Sequence, residues 1–309
     1  MALNLKSADK IEITVLVDNY IDIFVPSSTP IDHRLPFDPS RELLAEHGFS
    51  CLIQVIDGGE KHTILLDAGL SRRCMLWNAG FLGISLSDIE AVVLSHGHFD
   101  HIGGLYEFFS NVEGNMPLIL HPDALLRRRL NNPVRGPVDL PQVDQKTLTE
   151  SGAKICLSSE PSLLGKGCLL VTGEVDRKIS FETGMPGMEM YMNETWVPDP
   201  ILDDQALVFH VRNKGLIILS GCAHAGIINT VQYSQKITGS SHVHAVLGGF
   251  HLTGPAFESR IMPTITAMKE INPDFIVPMH CTGWNAINSF SENIPGKCIL
   301  NTVGTTYIF

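Results

Sequence analysis

The sequence predicts an α/β protein built on facing sheets, and three observations predict it. Short runs of β-branched and apolar residues alternate with segments of helical spacing along the chain of 309 residues. Two of those runs, Val92-Val93-Leu94-Ser95 and Ile217-Ile218-Leu219-Ser220, each end in a small residue and then deliver histidine from a loop, as facing strands would to one edge of a sandwich. Apolar residues make up 44% of the chain, enough for one sizeable core, and no Ser/Gly linker or charged block divides it.

Taken in order, Ile11–Val17, Cys51–Ile56, Thr63–Leu66, Ala91–Leu94 and Leu118–Leu120 read as strands. So do Cys168–Val171, Leu207–Val211, Leu216–Leu219, Val243–Leu247 and Phe275–Val277. Leu105–Phe109 and Leu125–Leu130 read as helices. Ile228, Val231 and Ile237 mark another, and Ile261, Ile265, Met268 and Ile271 a fourth that Pro273 ends. One unit over residues 1–309 is expected, with loop insertions around 131–150 and 184–200, where Pro, Gly and Asn gather and irregular loops would cover the mouth of a site.

Composition excludes several classes. A formal net charge of −11 argues against a nucleic-acid groove, which needs clustered Lys and Arg. Arg127, Arg128 and Arg129 form the one basic run; on a helix it reads as a solvated face, with an anchor for a substrate phosphate as the alternative. No window approaches the ~18 uncharged apolar residues of a membrane span, and Met1 to Lys10 lacks the apolar core of a signal peptide. Seven cysteines without a CxxC pair argue against a disulfide framework, so a reducing, cytoplasmic location is expected.

The chemistry concentrates in His96-Gly97-His98-Phe99-Asp100-His101, directly after a strand. Imidazole and carboxylate are ligands that Zn²⁺ and Fe²⁺ accept. The loop can aim His96 and His98 at one ion while Asp100 and His101 face a neighbour, with Gly97, Gly103 and Gly104 allowing tight turns. Two ions need further ligands, and His224 and His280, each following a strand, are the candidates. His33, His47, His62, His210, His242 and His244 have no partner pattern and read as structural or surface residues. Cys222 and Cys281 lie within the histidine loops, where a nearby cation can favour thiolate, but read first as packing residues. His121 either faces the cleft and contacts substrate or marks the start of a helix capped by Asp123.

This HxHxDH pattern, with Asp67-Ala68-Gly69, His224 and His280, resembles the metallo-β-lactamase superfamily. Asp203-Asp204-Gln205, Ser220-Gly221-Cys222-Ala223-His224, Gly248-Gly249-Phe250-His251 and His280-Cys281-Thr282-Gly283 are similar to a narrower branch, named for 7,8-dihydropterin-6-yl-methyl-4-(β-D-ribofuranosyl)aminobenzene 5′-phosphate synthase. The resemblance implies a four-layer αββα sandwich and one or two divalent ions, Zn first and Fe or Mn otherwise. It implies His96, His98 and His224 around one ion, and Asp100, His101 and His280 around the other. Asp67 would sit behind them, accepting the other N–H of a ligand histidine. Many members bridge the two ions with an aspartate after a glycine-rich strand end; at Gly248-Gly249-Phe250-His251 either His251 takes that place, as ligand or substrate contact, or the bridge is missing.

Three functions follow as expectations. The first is hydrolysis of a phosphorylated or ester-type small molecule, expected to be anionic, with Asp100 orienting or deprotonating the water. The second is a synthase joining a dihydropterin-methyl group to (β-D-ribofuranosyl)aminobenzene 5′-phosphate. The third is a metal- or ligand-binding module without turnover.

Overall fold

The computed structural model describes residues 3–132 and 134–309. Two sheets lie face to face. In the first the strands are ordered Ala153–Leu157, Met116–Leu120, Ala91–Val93, Glu60–Leu66, Ser50–Asp57, Lys10–Val17, Thr306–Ile308 and Asp32–His33. In the second the order is Ser162–Leu164, Leu169–Val171, Ala206–Val211, Gly215–Ser220, Val243–Gly249 and Phe275–Met279, with Ser7–Ala8 beside Ala206–Val211.

Alternation along the strands assigns each side chain to a layer. Val93, Ile217 and Leu219 point between the sheets, into a core shared with Ile13, Phe209 and Val277. Val92 and Leu94 face the other way, onto Leu105, Phe108 and Phe109 of the helix Leu105–Ser110. Leu216 and Ile218 likewise face outward, onto Ile228 and Val231 of the helix Ile227–Thr238 and Ile265 of the helix Glu258–Ile271. The result is helix, sheet, sheet, helix: the four-layer αββα sandwich. No helix of the described residues is long and apolar enough to cross a membrane.

Parts of the stretches read as irregular loops are instead paired, and Gln145–Glu150 is a short helix. Arg128–Asn132, Gly136–Asp139, Met188–Met192 and Thr195–Pro198 form a small antiparallel sheet. The helix expected at Leu125–Leu130 does not exist: a short 3₁₀ turn, Pro122–Leu125, leads into the strand at Arg128. The physical reason is a distant partner. Leu130 pairs with buried Met188 and Arg129 with Glu189, so the run takes extended structure from residues about sixty positions away that its own sequence cannot announce. Arg128 is accordingly no solvated face; it is buried, with Nε donating to Asp199 Oδ2 at 2.7 Å and Nη2 to Asp203 Oδ1 at 2.6 Å.

Candidate metal centre

Strands ending at Val17, Leu66, Val93, Ser220, Gly249 and Met279 all deliver their next residues to one edge of the sandwich. The Ala91–Val93 and Gly215–Ser220 strands, one from each sheet, meet there: a Cβ on Gly221 would lie 2.1 Å from Ser95 Oγ, and Gln205 N–H donates to the Ser95 carbonyl at 3.0 Å. The backbone is forced at this edge. Asp67, Ala223, His251 and His280 hold φ of 55°, 54°, 45° and 48°, a region that costs non-glycine residues energy and clusters at functional sites.

The histidine loop is seated by its backbone. Gly97 N–H donates to Asp203 Oδ2 at 2.7 Å, and a Cβ at Gly97 would lie 2.2 Å from the Ala124 carbonyl oxygen, so only glycine fits. Asp203, itself held by Arg128, thus fixes the loop.

His96, His98 and His224 converge: each offers one ligand atom, and these lie within 4.8 Å of one another. His96 Nε2 and His224 Nε2 are 3.2 Å apart. Donors bound to one tetrahedral Zn²⁺ at about 2.0–2.1 Å would be about 3.3 Å apart. Burial, reinforced by the neighbouring imidazoles, holds His96 and His224 well below the usual histidine pKa. Burial and the Arg128 charge push His98 down to about 3. All three are therefore neutral, the form that ligates.

Asp100, His101 and His280 converge beside them within the same 4.8 Å limit. Asp100 Oδ2 is 3.3 Å from His280 Nε2 and 3.9 Å from His101 Nε2. Burial opposes the Asp100 charge, yet His101, His280 and His47 hold its carboxyl well below the usual carboxylate range. Burial also opposes charge on His101, but Asp67 and Asp100 prevail and push its pKa up to about 9. Asp67 Oδ2 accepts from His101 Nδ1 at 2.6 Å, while its Oδ1 accepts the Ser95 N–H at 2.7 Å. His101 Nε2 is thereby left facing the cluster.

The remaining candidates fall nearby. His251 packs ring to ring on His224 at 4.2 Å and against Phe257 at 4.7 Å. His121 starts the 3₁₀ turn Pro122–Leu125, with Nδ1 accepting the Asp123 N–H at 3.1 Å; Asp123 does not do the capping. Its Nε2 is buried without a hydrogen-bond partner.

Three participants escaped sequence reading. His47, grouped there with surface histidines, lies with Nε2 3.3 Å from Asp100 Oδ2 and its ring 5.1 Å from His280. Its signal was the following Gly48, whose Cβ would meet the Asp100 carbonyl oxygen at 2.9 Å, a close approach like that of Gly97. Asn19 Oδ1 meets His280 Nδ1 at 3.0 Å, and Asp18 Oδ1 accepts the His280 N–H at 2.7 Å. Nothing local marks these two. The other unassigned histidines stand apart: His33 is exposed on the edge strand Asp32–His33, His62 pairs with Glu90, His210 with Ser7, and His242 and His244 with Asp274.

A divalent metal fits this centre. Among the described residues, His98 Nε2, His224 Nδ1, His251 Nδ1 and His280 Nε2 are buried without a hydrogen-bond partner, a cost that protein interiors rarely carry without a reason. The gathered donors are imidazole nitrogen, carboxylate oxygen and thiol sulfur, the set that suits Zn and Fe.

Comparison with known proteins agrees with the fold. The family model described as "Metallo-beta-lactamase superfamily" matches residues 47–121. The chain is 34% identical over 300 residues, 94% of each chain, to 7,8-dihydropterin-6-methyl-4-(beta-D-ribofuranosyl)-aminobenzene-5'-phosphate synthase of Methanocaldococcus jannaschii. It is 33% identical over 252 residues, 82% of this chain and 90% of the other, to an uncharacterized protein of the same organism. A crystal structure of a metal-dependent hydrolase of the beta-lactamase superfamily superposes with a TM-score of 0.74 at 24% identity, covering 96% of this chain and 98% of that one.

Proposed function

Because the chain belongs to the metallo-β-lactamase superfamily, where it is an enzyme, we propose that it uses two divalent ions, zinc first among them, on an anionic phosphorylated small molecule. The observation that carries this reading is the convergence of two donor triads at one strand edge. His96, His98 and His224 would hold one ion; Asp100, His101 and His280 would hold the other. The ions, when bound, supply Lewis acidity toward phosphoryl or ester oxygen and reverse the local field of an acidic protein. The chain's own residues do the rest. Asp67 keeps His101 in one tautomer, and Asp203 with Arg128 sets the loop that carries three of the histidines. Asp100 orients the attacking group and accepts its proton, and half-exposed His47 beside it passes that proton to solvent.

For the reaction, identity sustained over 94% of both chains supports transfer of a dihydropterin-methyl group to the amine of (β-D-ribofuranosyl)aminobenzene 5′-phosphate. In that reaction the amine nitrogen bonds to the methylene carbon, the carbon–oxygen bond to a diphosphate breaks, and one proton leaves the nitrogen. Buried Asp100, linked to solvent through exposed His47, supports a second reading in which water is the attacking group and the product is a hydrolysed phosphoester or lactone. One experiment separates the two. Metal-loaded protein is incubated with the dihydropterin-methyl diphosphate and the aminobenzene phosphate, and with a panel of phosphoesters and lactones. A pterin adduct is expected; diphosphate release without adduct, or turnover confined to the panel, removes the transfer reading. Failure of every substrate with metal bound leaves the site as a binding module.

A further inference from the structure

Among the described residues the two triads share no carboxylate, and the fold shows why the glycine-rich strand end cannot supply one. A Cβ on Gly249 would lie 2.6 Å from Cys281 Sγ and 2.4 Å from the Gly221 carbonyl oxygen. Phe250 is buried in the outer core, among Phe290 and Leu252. His251 stacks on His224, and one imidazole nitrogen cannot serve two ions as a carboxylate does. The neighbouring parallel strand reaches the same height: Ser220 pairs with Gly248, and Gly249 N–H donates to the Gly221 carbonyl at 3.1 Å. The next side chain beyond the end of that strand is Cys222.

Cys222 Sγ stands where the two triads touch. It is 3.2 Å from His101 Nε2. It lies within 4.8 Å of the ligand atoms of His96 and His101, of His224 and His251, and of His280 and Cys281. It thus reaches donors of both triads. With Zn–S near 2.3 Å and Zn–N near 2.0–2.1 Å, two donors on one ion can be no more than about 4.4 Å apart, and the 3.2 Å contact is well inside that limit. Resting on the two-ion reading above, we infer that Cys222 is the ligand shared by both ions, a thiolate bridge standing in for the bridging carboxylate. Thiolate sulfur has the lone pairs to bind two cations.

The test is X-ray absorption and metal content on the zinc-loaded full chain, with the near-ultraviolet thiolate-to-metal band of the cobalt-loaded protein as a second readout. A shared sulfur gives about one sulfur scatterer per ion near 2.3 Å in the two-ion protein, and that count survives Cys281→Ser. Cys222→Ser is expected to lose the sulfur shell and the cobalt band and to retain about half the metal, with its circular dichroism unchanged. Two ions sharing only half a sulfur each, or a sulfur shell that disappears with Cys281→Ser and persists in Cys222→Ser, overturns the bridge while leaving the two-ion site intact. A wild-type protein that holds a single ion overturns both. The wild-type sulfur count decides even if Cys222→Ser does not fold.

Discussion

The two triads are built on opposite principles. His96, His98 and His224 form a dry, all-imidazole set, kept neutral by burial and mutual repulsion, with His98 Nε2 and His224 Nδ1 unpartnered. Asp100, His101 and His280 form a charge-balanced set in which Asp67, Asn19 and His47 already engage ring nitrogens or the carboxylate, and in which His280 Nε2, 3.3 Å from Asp100 Oδ2, is the one ring nitrogen of the set without a hydrogen bond among the described residues. The first set gains partners when a cation arrives. The second must give up part of a working network. The contrast teaches that metal affinity follows what the protein leaves unsatisfied as much as the number of donors. A chelator is therefore expected to strip the Asp100 site first, in a two-step release followed by metal analysis; release in a single step would erase the distinction.

The largest effect is expected at Asp100, the one carboxylate among the six proposed ligands. Asp100→Ala should lower turnover by about 10³-fold or more with the fold unchanged, because ligand and proton acceptor disappear together. An unchanged rate would remove Asp100 from the chemistry.

Support for the two triads also differs in its response to pH. The loop bearing His224 runs into the helix Ile227–Thr238, whose first N–H groups at Ile228 and Asn229 donate to Glu182 at 2.8 Å each. Burial pushes the Glu182 pKa up to about 7 despite those bonds. Between its unfolded value of 4.5 and about 7 the unfolded chain ionises while the native protein keeps the proton. The native state then binds more protons, so this group's contribution to stability falls as pH rises through that window, by up to about 3 kcal/mol in all. Urea unfolding at pH 4.5 and pH 7.5 should show this slope in the wild type and lose it in Glu182→Gln; equal slopes would refute it. Asp67→Asn acts on the other triad, freeing the His101 tautomer at an expected cost of about 10–100-fold in affinity for the second ion. Titration calorimetry should find the first ion unaffected.

Where the site could be read from sequence, the reason was local. The histidine loop packs its donors into six residues after a strand, and the alternation that buries Val93 inward and Val92 outward is carried by neighbours. His224 and His280 were legible because each follows such a strand. What escaped depends on contacts between distant segments. Arg128 looked helical because the carboxylates that bury it, Asp199 and Asp203, lie some seventy residues on. His47 has no histidine pattern of its own and gains meaning only when the chain folds Gly48 against Asp100. Cys222 looked like a packing residue because nothing in its own loop tells that the second sheet sets it against His101 of the first.

Asn19 offers the finest probe of the contrast. Its Oδ1 meets His280 Nδ1 at 3.0 Å, and Asp18 next to it accepts the His280 backbone N–H, so the ring is oriented from one side by residues that never face the proposed ion. Asn19→Ala removes the bond to the His280 ring, together with the longer contacts of Asn19 to the His280 carbonyl, the Gly48 N–H and His47 Nδ1, and leaves the proposed donors in place. The expected loss is about 1 kcal/mol, read as up to tenfold weaker binding of the second ion with turnover at saturating metal nearly intact. Asn19→Asp should restore acceptance of the ring N–H and recover that affinity. If both substitutions weaken the first ion as strongly as the second, the two triads share a single network, and the division drawn between them fails.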